Sequence, residues 1–332
     1  MTTLRRPMSF RERTRRVVGK TAIDVGLRSL SRVGRMHPLA DPARHGVEVL
    51  RDVPYRANPA PHERLDVYRP IERPRPAPAV LYIHGGGFRI LSKDTHWMMG
   101  LAFARRGFVV FNIDYRLAPR HPYPAALEDA AAAYRWVVEH GAEHGADPTR
   151  IIVAGESAGA NLTAALTLIT CYRRPEPWTK AVWETERVPI AALPACGILQ
   201  VSDHERFRRR KKLRPWLADR IAETCEAYLG VTDATAAADR DLADPLVILE
   251  RGIEPDRPLP PFFAGVGTRD PLLDDTRRLQ VALDRLRVPC RTRYYPGEVH
   301  AFEAIVWRPQ AQRFWNDTFA FLAEHGIEPP RP

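Results

Sequence analysis

The sequence has few cysteines, and they are scattered. Cys171, Cys196, Cys225 and Cys290 are the four among 332 residues, and no CxxC motif or Cys/His cluster includes them. This spacing suits neither a zinc site nor a dense disulfide framework. We therefore expect reduced thiols in the core and a cytoplasmic protein.

Long apolar runs are also missing. No window approaches the ~18 uninterrupted apolar residues that a membrane-spanning helix requires. The basic start, MTTLRRPMSFRERTRRVVGK, is not followed by an apolar stretch of signal-peptide length. We interpret this start as a helix packed over the domain with its arginines facing water. Contact with an anionic membrane is the less favoured alternative.

Lysine is scarce, and arginine supplies almost all of the positive charge. The chain has 50 basic and 40 acidic residues, a net charge of +10. The densest basic run, RFRRRKK at 206–212, has neither the wider basic surface nor the recognised module that nucleic-acid binding would need. We expect no nucleic-acid partner and interpret the run as a solvated face, with a docking patch for an anionic membrane or polymer as the less favoured alternative.

From about residue 47 the sequence alternates between strand and helix patterns. The strand patterns are VEVLRDVPY and RLDVYRP, a leading pair, then AVLYIHG, FVVFNIDY, RIIVAG, LPACGILQ, PFFAGVG and CRTRYYP. The helical patterns between them cover 96–106, 124–140, 159–171, 272–287 and 310–325. This alternation predicts an α/β fold with a mostly parallel, eight-stranded sheet covered by helices on both faces.

One stretch interrupts the alternation after a strand predicted to end near Val201. Apolar residues between Trp216 and Leu229 recur at helical spacing where a short connection is due. We interpret 202–245 as an insertion that forms, with an N-terminal segment 1–45, a small helical cap over the carboxyl edge of the sheet. The predicted core then comprises 46–201 and 246–332. Ligands bind at that edge in open α/β sheets, so a cap there would shape a pocket.

Ser157 lies in Gly155-Glu156-Ser157-Ala158-Gly159, a G-x-S-x-G motif between a strand pattern and a helix pattern. In such a turn the serine adopts strained backbone angles that expose its hydroxyl. Side chains two residues to either side would collide, which explains the flanking glycines. The alternative is a Gly-Ser turn without chemistry, and the strand–helix context favours a nucleophile.

A second glycine-rich segment, His84-Gly85-Gly86-Gly87, directly follows another strand pattern. Consecutive glycines allow main-chain amides to face a ligand, as an oxyanion site requires. The segment matches no phosphate-binding motif. We assign His84 a structural role in bracing the glycine turn.

A serine nucleophile requires a base, and the base is usually oriented by an acid. His300 in YYPGEVHAF follows the last strand pattern and is the strongest candidate among the histidines. Asp270 directly follows a strand and precedes Pro271, where a loop can reach a neighbouring imidazole. Asp274 and Asp275 are less favoured competitors in the first turn of the next helix, where carboxylates often only complement the helix dipole.

Together, HGGGF, DYRLAP-x-HPYPAALED, GESAGAN, GTRDPLLDD and HAF resemble the hormone-sensitive-lipase-like HGGG carboxylesterases of the α/β-hydrolase fold. The resemblance covers about residues 78–305. It implies Ser157 as nucleophile, His300 as base, Asp270 as orienting acid, and an oxyanion hole formed by the amides of Gly86, Gly87 and Ala158. It implies no metal and no organic cofactor.

Three residues depart from the family's usual pattern. Arg120 stands where Glu is usual, Glu156 where Asp is commoner, and Ala301 where Gly is frequent. None of these removes a group of the expected triad. Asp114, in the matching DYR segment, is interpreted as structural.

The expected function is hydrolysis of short- to medium-chain carboxylic esters through an acyl-enzyme on Ser157. The expected partner is a small ester, and a homodimer formed through an edge strand is compatible with the fold. Plant gibberellin receptors are similar to this family yet bind a hormone without hydrolysis, departing at the histidine position. A non-catalytic binding protein and an amide or acetyl hydrolase therefore remain alternatives.

Overall fold

The structure is a computed structural model, and it describes residues 10–72, 76–209, 213–230 and 238–329. Eight strands form a single sheet, as the alternating pattern predicts. They are β1 (Val47–Pro54), β2 (Arg64–Pro70), β3 (Ala77–Ile83), β4 (Val109–Ile113), β5 (Ala146–Glu156), β6 (Ala191–Ala195), β7 (Phe262–Gly267) and β8 (Cys290–Tyr295).

The strand order is β1-β2-β4-β3-β5-β6-β7-β8. Strand β2 is antiparallel to both of its neighbours, β1 and β4, and all other pairs are parallel. The sheet is therefore mostly parallel, which confirms the prediction. In the centre, Ile83 of β3 pairs with Gly155 of β5, so these two strands end side by side.

The central strands are apolar on both faces because both faces are covered. All seven residues of β3 are buried. Leu81 and Ile83 belong to the hydrophobic cluster on one side of the sheet, and Val80 and Tyr82 to the cluster on the other. This alternation follows from the two-residue period of a strand.

The helices fall largely where the periodic patterns predict them. They are α1 (Phe10–Arg35), α2 (Trp97–Ala104), α3 (Ala125–His140), α4 (Ala158–Cys171), α5 (Lys180–Trp183), α6 (Glu205–Arg208), α7 (Pro215–Leu229), α8 (Pro245–Glu250), α9 (Leu273–Arg285) and α10 (Pro309–Glu324). The short helices α5, α6 and α8 were not predicted, since four to six residues carry too little periodicity. Across the part of the chain that is described, no helix combines the length and apolar character needed to cross a membrane.

The prediction that a strand ends near Val201 is wrong, because β6 ends at Ala195. Cys196 then takes a φ of 38°, which turns the chain out of the sheet. Beyond this turn the amide of Leu199 donates to the carboxylate of Asp275, and the amide of Val201 donates to that of Asp244. These amides therefore do not pair with a neighbouring strand. The apolar character of 196–201 reflects burial rather than strand pairing.

Helix α7 of the predicted insertion packs on the glycine-rich segment. The rings of Tyr228 and Phe88 stack with centroids 3.7 Å apart, and the amide of Tyr123 donates to the carbonyl of Tyr228 at 2.7 Å. At the other end of the chain, α1 lies against residues 91–97, with the indole of Trp97 donating to the hydroxyl of Ser31 at 3.2 Å.

The interpretation of 206–212 as a solvated face is wrong for its first two residues. Nη2 of Arg206 lies 2.7 and 2.9 Å from the two carboxylate oxygens of Asp275, and Phe207 is buried in the core. Arg209, by contrast, is exposed and pairs with Asp203. Residues 210–212, like the basic residues before Phe10, lie outside the described residues.

Candidate active site

Ser157 stands between the end of β5 and the start of α4, at the centre of the sheet's carboxyl edge. Its backbone angles are φ 58° and ψ −113°, a conformation that few residues other than glycine adopt. The amide of Ser157 donates to the carbonyl of Ala195 at 3.0 Å, which ties the turn to β6. The strained turn predicted from the sequence is therefore present.

The glycines at both sides of Ser157 are sterically required. A Cβ atom at Gly155 would lie 2.5 Å from the carbonyl oxygen of Ile83. One at Gly159 would overlap that same oxygen and lie 2.7 Å from the carbonyl oxygen of His84. The turn is thus pressed against the end of β3, and only hydrogen atoms fit in the contact.

The imidazole of His300 lies between Ser157 and Asp270. Its Nε2 is 2.8 Å from the Ser157 hydroxyl oxygen, and its Nδ1 is 2.8 Å from an Asp270 carboxylate oxygen. The other carboxylate oxygen of Asp270 accepts a hydrogen bond from the Leu272 amide at 2.7 Å, which fixes the acid's orientation. The three predicted side chains, more than a hundred residues apart at the extremes, form one hydrogen-bonded relay.

The electrostatic setting of His300 favours its protonated form. Burial by itself lowers the pKa, but the neighbouring Asp270 carboxylate outweighs burial and raises the pKa of His300 to about 9. Glu303 and Glu156 act in the same direction. An imidazole in this setting readily holds a proton taken from Ser157.

The two competing acids lie elsewhere. Asp275 is buried and bound to Arg206, while Asp274 is about half exposed and pairs with Arg277 at 3.2 Å. Only Asp270 among the three contacts His300.

The glycine-rich segment turns sharply beside Ser157. Gly86 and Gly87 have φ values of 110° and 60°, and the amides of Arg89 and Ile90 donate to the Gly86 carbonyl at 3.1 and 3.2 Å. A Cβ atom at Gly87 would lie 3.0 Å from Thr224 of α7. The absence of a side chain at Gly86 therefore allows the loop backbone to fold closely back on itself. At Gly87 it allows α7 to pack against the loop.

His84 has contacts that hold the turn. Its Nδ1 is 2.6 Å from the Gly85 carbonyl, and its ring stacks on Tyr115 with centroids 4.3 Å apart. Burial lowers the pKa of His84 to about 3, so the ring is neutral. Asp114 accepts a hydrogen bond from the Lys93 amide at 2.7 Å. These contacts agree with the structural roles expected for both residues.

Among the described residues, one group has spacing that a metal ion could use. Ligand atoms of Cys196, Asp270 and His300 lie within 4.8 Å of one another. His300 already bonds to Asp270 through Nδ1 and to Ser157 through Nε2, and burial raises the pKa of the Cys196 thiol well above its usual value. Metal ligation requires a thiolate, so this group fits a hydrogen-bonded relay better than a metal site.

Sequence reasoning missed the surroundings of Glu156. The Glu156 carboxylate is buried, with the side chains of Tyr82 and His96 and the amide of Gly85 as its partners. His96 had no motif that could have identified it. The Glu156 departure from the usual Asp was the only available signal, and it gave no indication of the partners.

Ala301, a second departure, occupies a position where glycine would be easier. Its φ is 56°, in the left-handed region, and the residue directly follows His300. The frequent glycine of the family is explained by this angle.

The eight-stranded sheet, the strained serine turn and the relay together define an α/β hydrolase. The comparison with known proteins agrees: a model of the alpha/beta hydrolase fold family matches residues 80–304. The chain belongs to this family.

The relatives are named as esterases. The chain is 34% identical over 234 residues to esterase LipI of Mycobacterium tuberculosis, a match that covers 68% of this chain and 66%, just under two thirds, of LipI. It is 32% identical over 261 residues to carboxylesterase NlhH of the same species, covering 77% and 73%. The crystal structure of esterase LipW from Mycobacterium marinum superimposes with a TM-score of 0.69 at 27% identity, covering 92% of this chain and 90% of that one.

Proposed function

We propose that this protein is a serine carboxylesterase that hydrolyses short- to medium-chain carboxylic esters through an acyl-enzyme on Ser157. The observation that carries the proposal is the relay, in which His300 lies 2.8 Å from both the Ser157 hydroxyl and the Asp270 carboxylate. The esterase names of the relatives support the choice of an ester bond.

The relay geometry fits a two-step acyl transfer. Nε2 of His300 takes the hydroxyl proton as Oγ of Ser157 attacks the ester carbonyl carbon. The imidazolium then gives that proton to the departing alkoxide, which leaves as the alcohol. A water molecule loses a proton to His300 and attacks the acyl-enzyme, and the acid leaves as Ser157 regains its proton. Asp270 holds the productive tautomer and stabilises the imidazolium in both steps.

The negative charge on the former carbonyl oxygen requires amide donors. We assign this role to the amides of Gly86, Gly87 and Ala158. Support comes from the position of Ala158 as the first residue of α4, where helix amides have no intrahelical partner, and from the glycine turn beside it.

Two other functions compete with this one. A non-catalytic binding protein would need no relay, so the intact hydrogen bonds of His300 favour an enzyme. An amide or acetyl hydrolase would use the same residues, and only substrate comparison separates it from the proposed esterase.

The segments 1–45 and 202–245 are proposed to form the cap, with a small ester as the partner. The packing of α7 on the glycine-rich segment supports a cap that bounds the substrate pocket. A homodimer, the absence of a nucleic-acid partner and a cytoplasmic location stay predictions. The four free cysteines are what favours the cytoplasm.

The test is a panel of p-nitrophenyl esters of increasing acyl length, run on the wild type and on Ser157→Ala, with a p-nitroanilide for comparison. We expect ester turnover that peaks at short to medium chains and falls by at least about 1,000-fold in Ser157→Ala. The exposed Ser202 supplies a matched control, since Ser202→Ala should retain wild-type rates.

Labelling with a fluorophosphonate separates the enzyme from a binding protein. The reagent should modify the wild type and Ser202→Ala at Ser157, and should leave Ser157→Ala unmodified. Ester turnover that persists in Ser157→Ala would refute the assignment of the nucleophile.

A further inference from the structure

The residue before the nucleophile, Glu156, has a carboxylate with three donors. One oxygen accepts from the amide of Gly85 at 2.5 Å and lies 2.6 Å from Nε2 of His96. The other oxygen accepts from the hydroxyl of Tyr82. The residue is 3% exposed, so water contributes little to holding the carboxylate in place.

The partners of Glu156 belong to both halves of the candidate site. Ser157 is the next residue in the chain, and Gly85 directly precedes Gly86 and Gly87. One side chain therefore joins the segment that presents the nucleophile to the segment with the proposed oxyanion amides. Glu156 packs tightly against Gly85, because a Cβ atom at Gly85 would lie 2.6 Å from a Glu156 carboxylate oxygen.

The pair formed by Glu156 and His96 is ionic. Burial alone would lower the pKa of His96 and raise that of Glu156, but their mutual attraction outweighs burial and shifts both pKa values the opposite way. Nδ1 of His96 is in turn 2.9 Å from the Thr95 hydroxyl and 3.1 Å from the Ser92 carbonyl, which fixes the ring. Hydrogen bonds to a charged carboxylate are shorter and stronger than neutral ones, so the Glu156 carboxylate is held firmly by its three partners.

We propose that Glu156 is a positioning residue that sets the distance between the Ser157 hydroxyl and the amides of Gly86 and Gly87 by bonding to Gly85, His96 and Tyr82. This inference rests on the proposed ester hydrolysis. A shift of the glycine segment away from Ser157 would weaken the oxyanion contact, which forms only as the carbonyl is attacked. Loss of the Glu156 charge should therefore lower kcat rather than raise KM.

Three substitutions test the positioning role of Glu156. Glu156→Gln keeps the shape and removes the charge, Glu156→Asp keeps the charge on a shorter side chain, and Tyr82→Phe removes one donor. The matched control is Asp129→Asn, which neutralises an equally buried carboxylate on α3 whose ion-pair partners are Arg116 and Arg56. Each is measured for kcat and KM on one p-nitrophenyl ester, for inhibition by a trifluoromethyl ketone, and for thermal unfolding.

The ketone reports directly on the oxyanion contact, because Ser157 adds to it and leaves an oxyanion in the site. For Glu156→Gln we expect kcat and ketone affinity to fall together by about 10- to 100-fold, with KM within about threefold. Glu156→Asp and Tyr82→Phe should give smaller losses of the same pattern. Asp129→Asn should lower the melting temperature while keeping kcat and ketone affinity within about twofold of the wild type.

The inference is overturned if Glu156→Gln loses no more kcat and ketone affinity than Asp129→Asn, or if KM alone changes. Should Glu156→Gln not fold, the same comparison between Tyr82→Phe and Asp129→Asn decides. Failure of the proposed function looks different: the wild type itself would then neither turn over esters nor react with a fluorophosphonate, and that result would also overturn the inference.

Discussion

Ser157 and Asp270 are each held by a contact outside the relay. The Ser157 amide bonds to Ala195, and the second carboxylate oxygen of Asp270 bonds to the Leu272 amide. The side chain of His300 is about one third exposed and depends more on its two relay partners. Removing Asp270 should therefore release the imidazole while leaving Ser157 in place.

We predict that Asp270→Asn lowers kcat by about 1,000- to 10,000-fold with little change in KM. The amide cannot stabilise an imidazolium and favours the wrong tautomer of His300. Steady-state kinetics on a short-chain p-nitrophenyl ester measure the effect. Asp274→Asn is the matched control, because Asp274 is half exposed and should change kcat less than about twofold. Equal losses in both variants would contradict the assignment of the acid.

The activity should rise with pH through the alkaline range. His300 must be neutral to accept a proton, and with a pKa of about 9 only about 1% of it is neutral at pH 7. We therefore expect kcat/KM to increase at least tenfold between pH 7 and pH 9, as measured with a non-ionising ester. The contribution of the His300–Asp270 pair to stability has the opposite sign: it is fully present below about pH 6.5 and is lost as pH rises through about 9.

Asp270→Asn supplies the control for the pH profile. Asp270 is the main group that raises the pKa of His300, with Glu303 and Glu156 adding to it. The residual activity of Asp270→Asn should therefore rise at lower pH than that of the wild type. A wild-type profile that is flat from pH 6 to pH 9 would argue against His300 as the base.

At the residue scale, the sequence indicated the three side chains of the relay but not the residues that hold them. Ser157, Asp270 and His300 each stand in a motif next to a strand end, so the motifs, their order in the chain and the family resemblance together indicated them. Glu156 bonds to Tyr82, which is 74 residues away and appears as an ordinary strand residue. No local pattern marks such a partner, because the contact depends on how β3 and β5 align.

At the scale of elements, the serine turn depends on contact between β3 and the start of α4. We predict that Gly159→Ala destabilises the protein by about 3 kcal/mol or more, since the added methyl group meets the fixed carbonyls of Ile83 and His84. Urea unfolding measures the change. Gly26→Ala is the matched control: Gly26 lies within α1 with nothing within 4 Å of its Cβ position, so it should gain up to about 1 kcal/mol. A Gly159→Ala protein as stable as the wild type would refute the steric argument.

The strands and longer helices followed from periodicity because each buries a continuous apolar face. The end of β6 could not be predicted in this way, since 196–201 is as apolar as a strand. The strand ends because the chain turns at Cys196. The amides of Leu199 and Val201 then donate hydrogen bonds to Asp275 and Asp244. Both acids come from segments far along the chain.

At the scale of the whole molecule, ion pairs help to attach the predicted insertion to the core, and one of them includes the buried Asp275. Arg206 of α6 binds Asp275, which is 1% exposed at the start of α9 and also accepts from Leu199. We predict that Arg206→Met lowers the free energy of unfolding by about 3 kcal/mol, because the buried Asp275 carboxylate keeps only the more distant Arg278, at 4.0 Å, as an ion-pair partner. Chemical denaturation of the purified variant measures this loss.

The double substitution Arg206→Met with Asp275→Asn should recover part of the lost stability. Neutralising both partners removes the buried charge that the single substitution leaves behind. Additive losses in the double variant would show that the two side chains are not coupled.

The sequence by itself determined the succession of strands and helices along the chain and the three side chains that form the relay. It could do so because each feature depends on residues that are neighbours in the chain: an alternating apolar face, or a reactive group at a strand end. Only the tertiary structure decided that the Glu156 carboxylate bridges the serine turn and the glycine segment, that Arg206 is bound to Asp275, and where β6 ends. Those features depend on contacts between distant segments, and such contacts exist only once the sheet has formed.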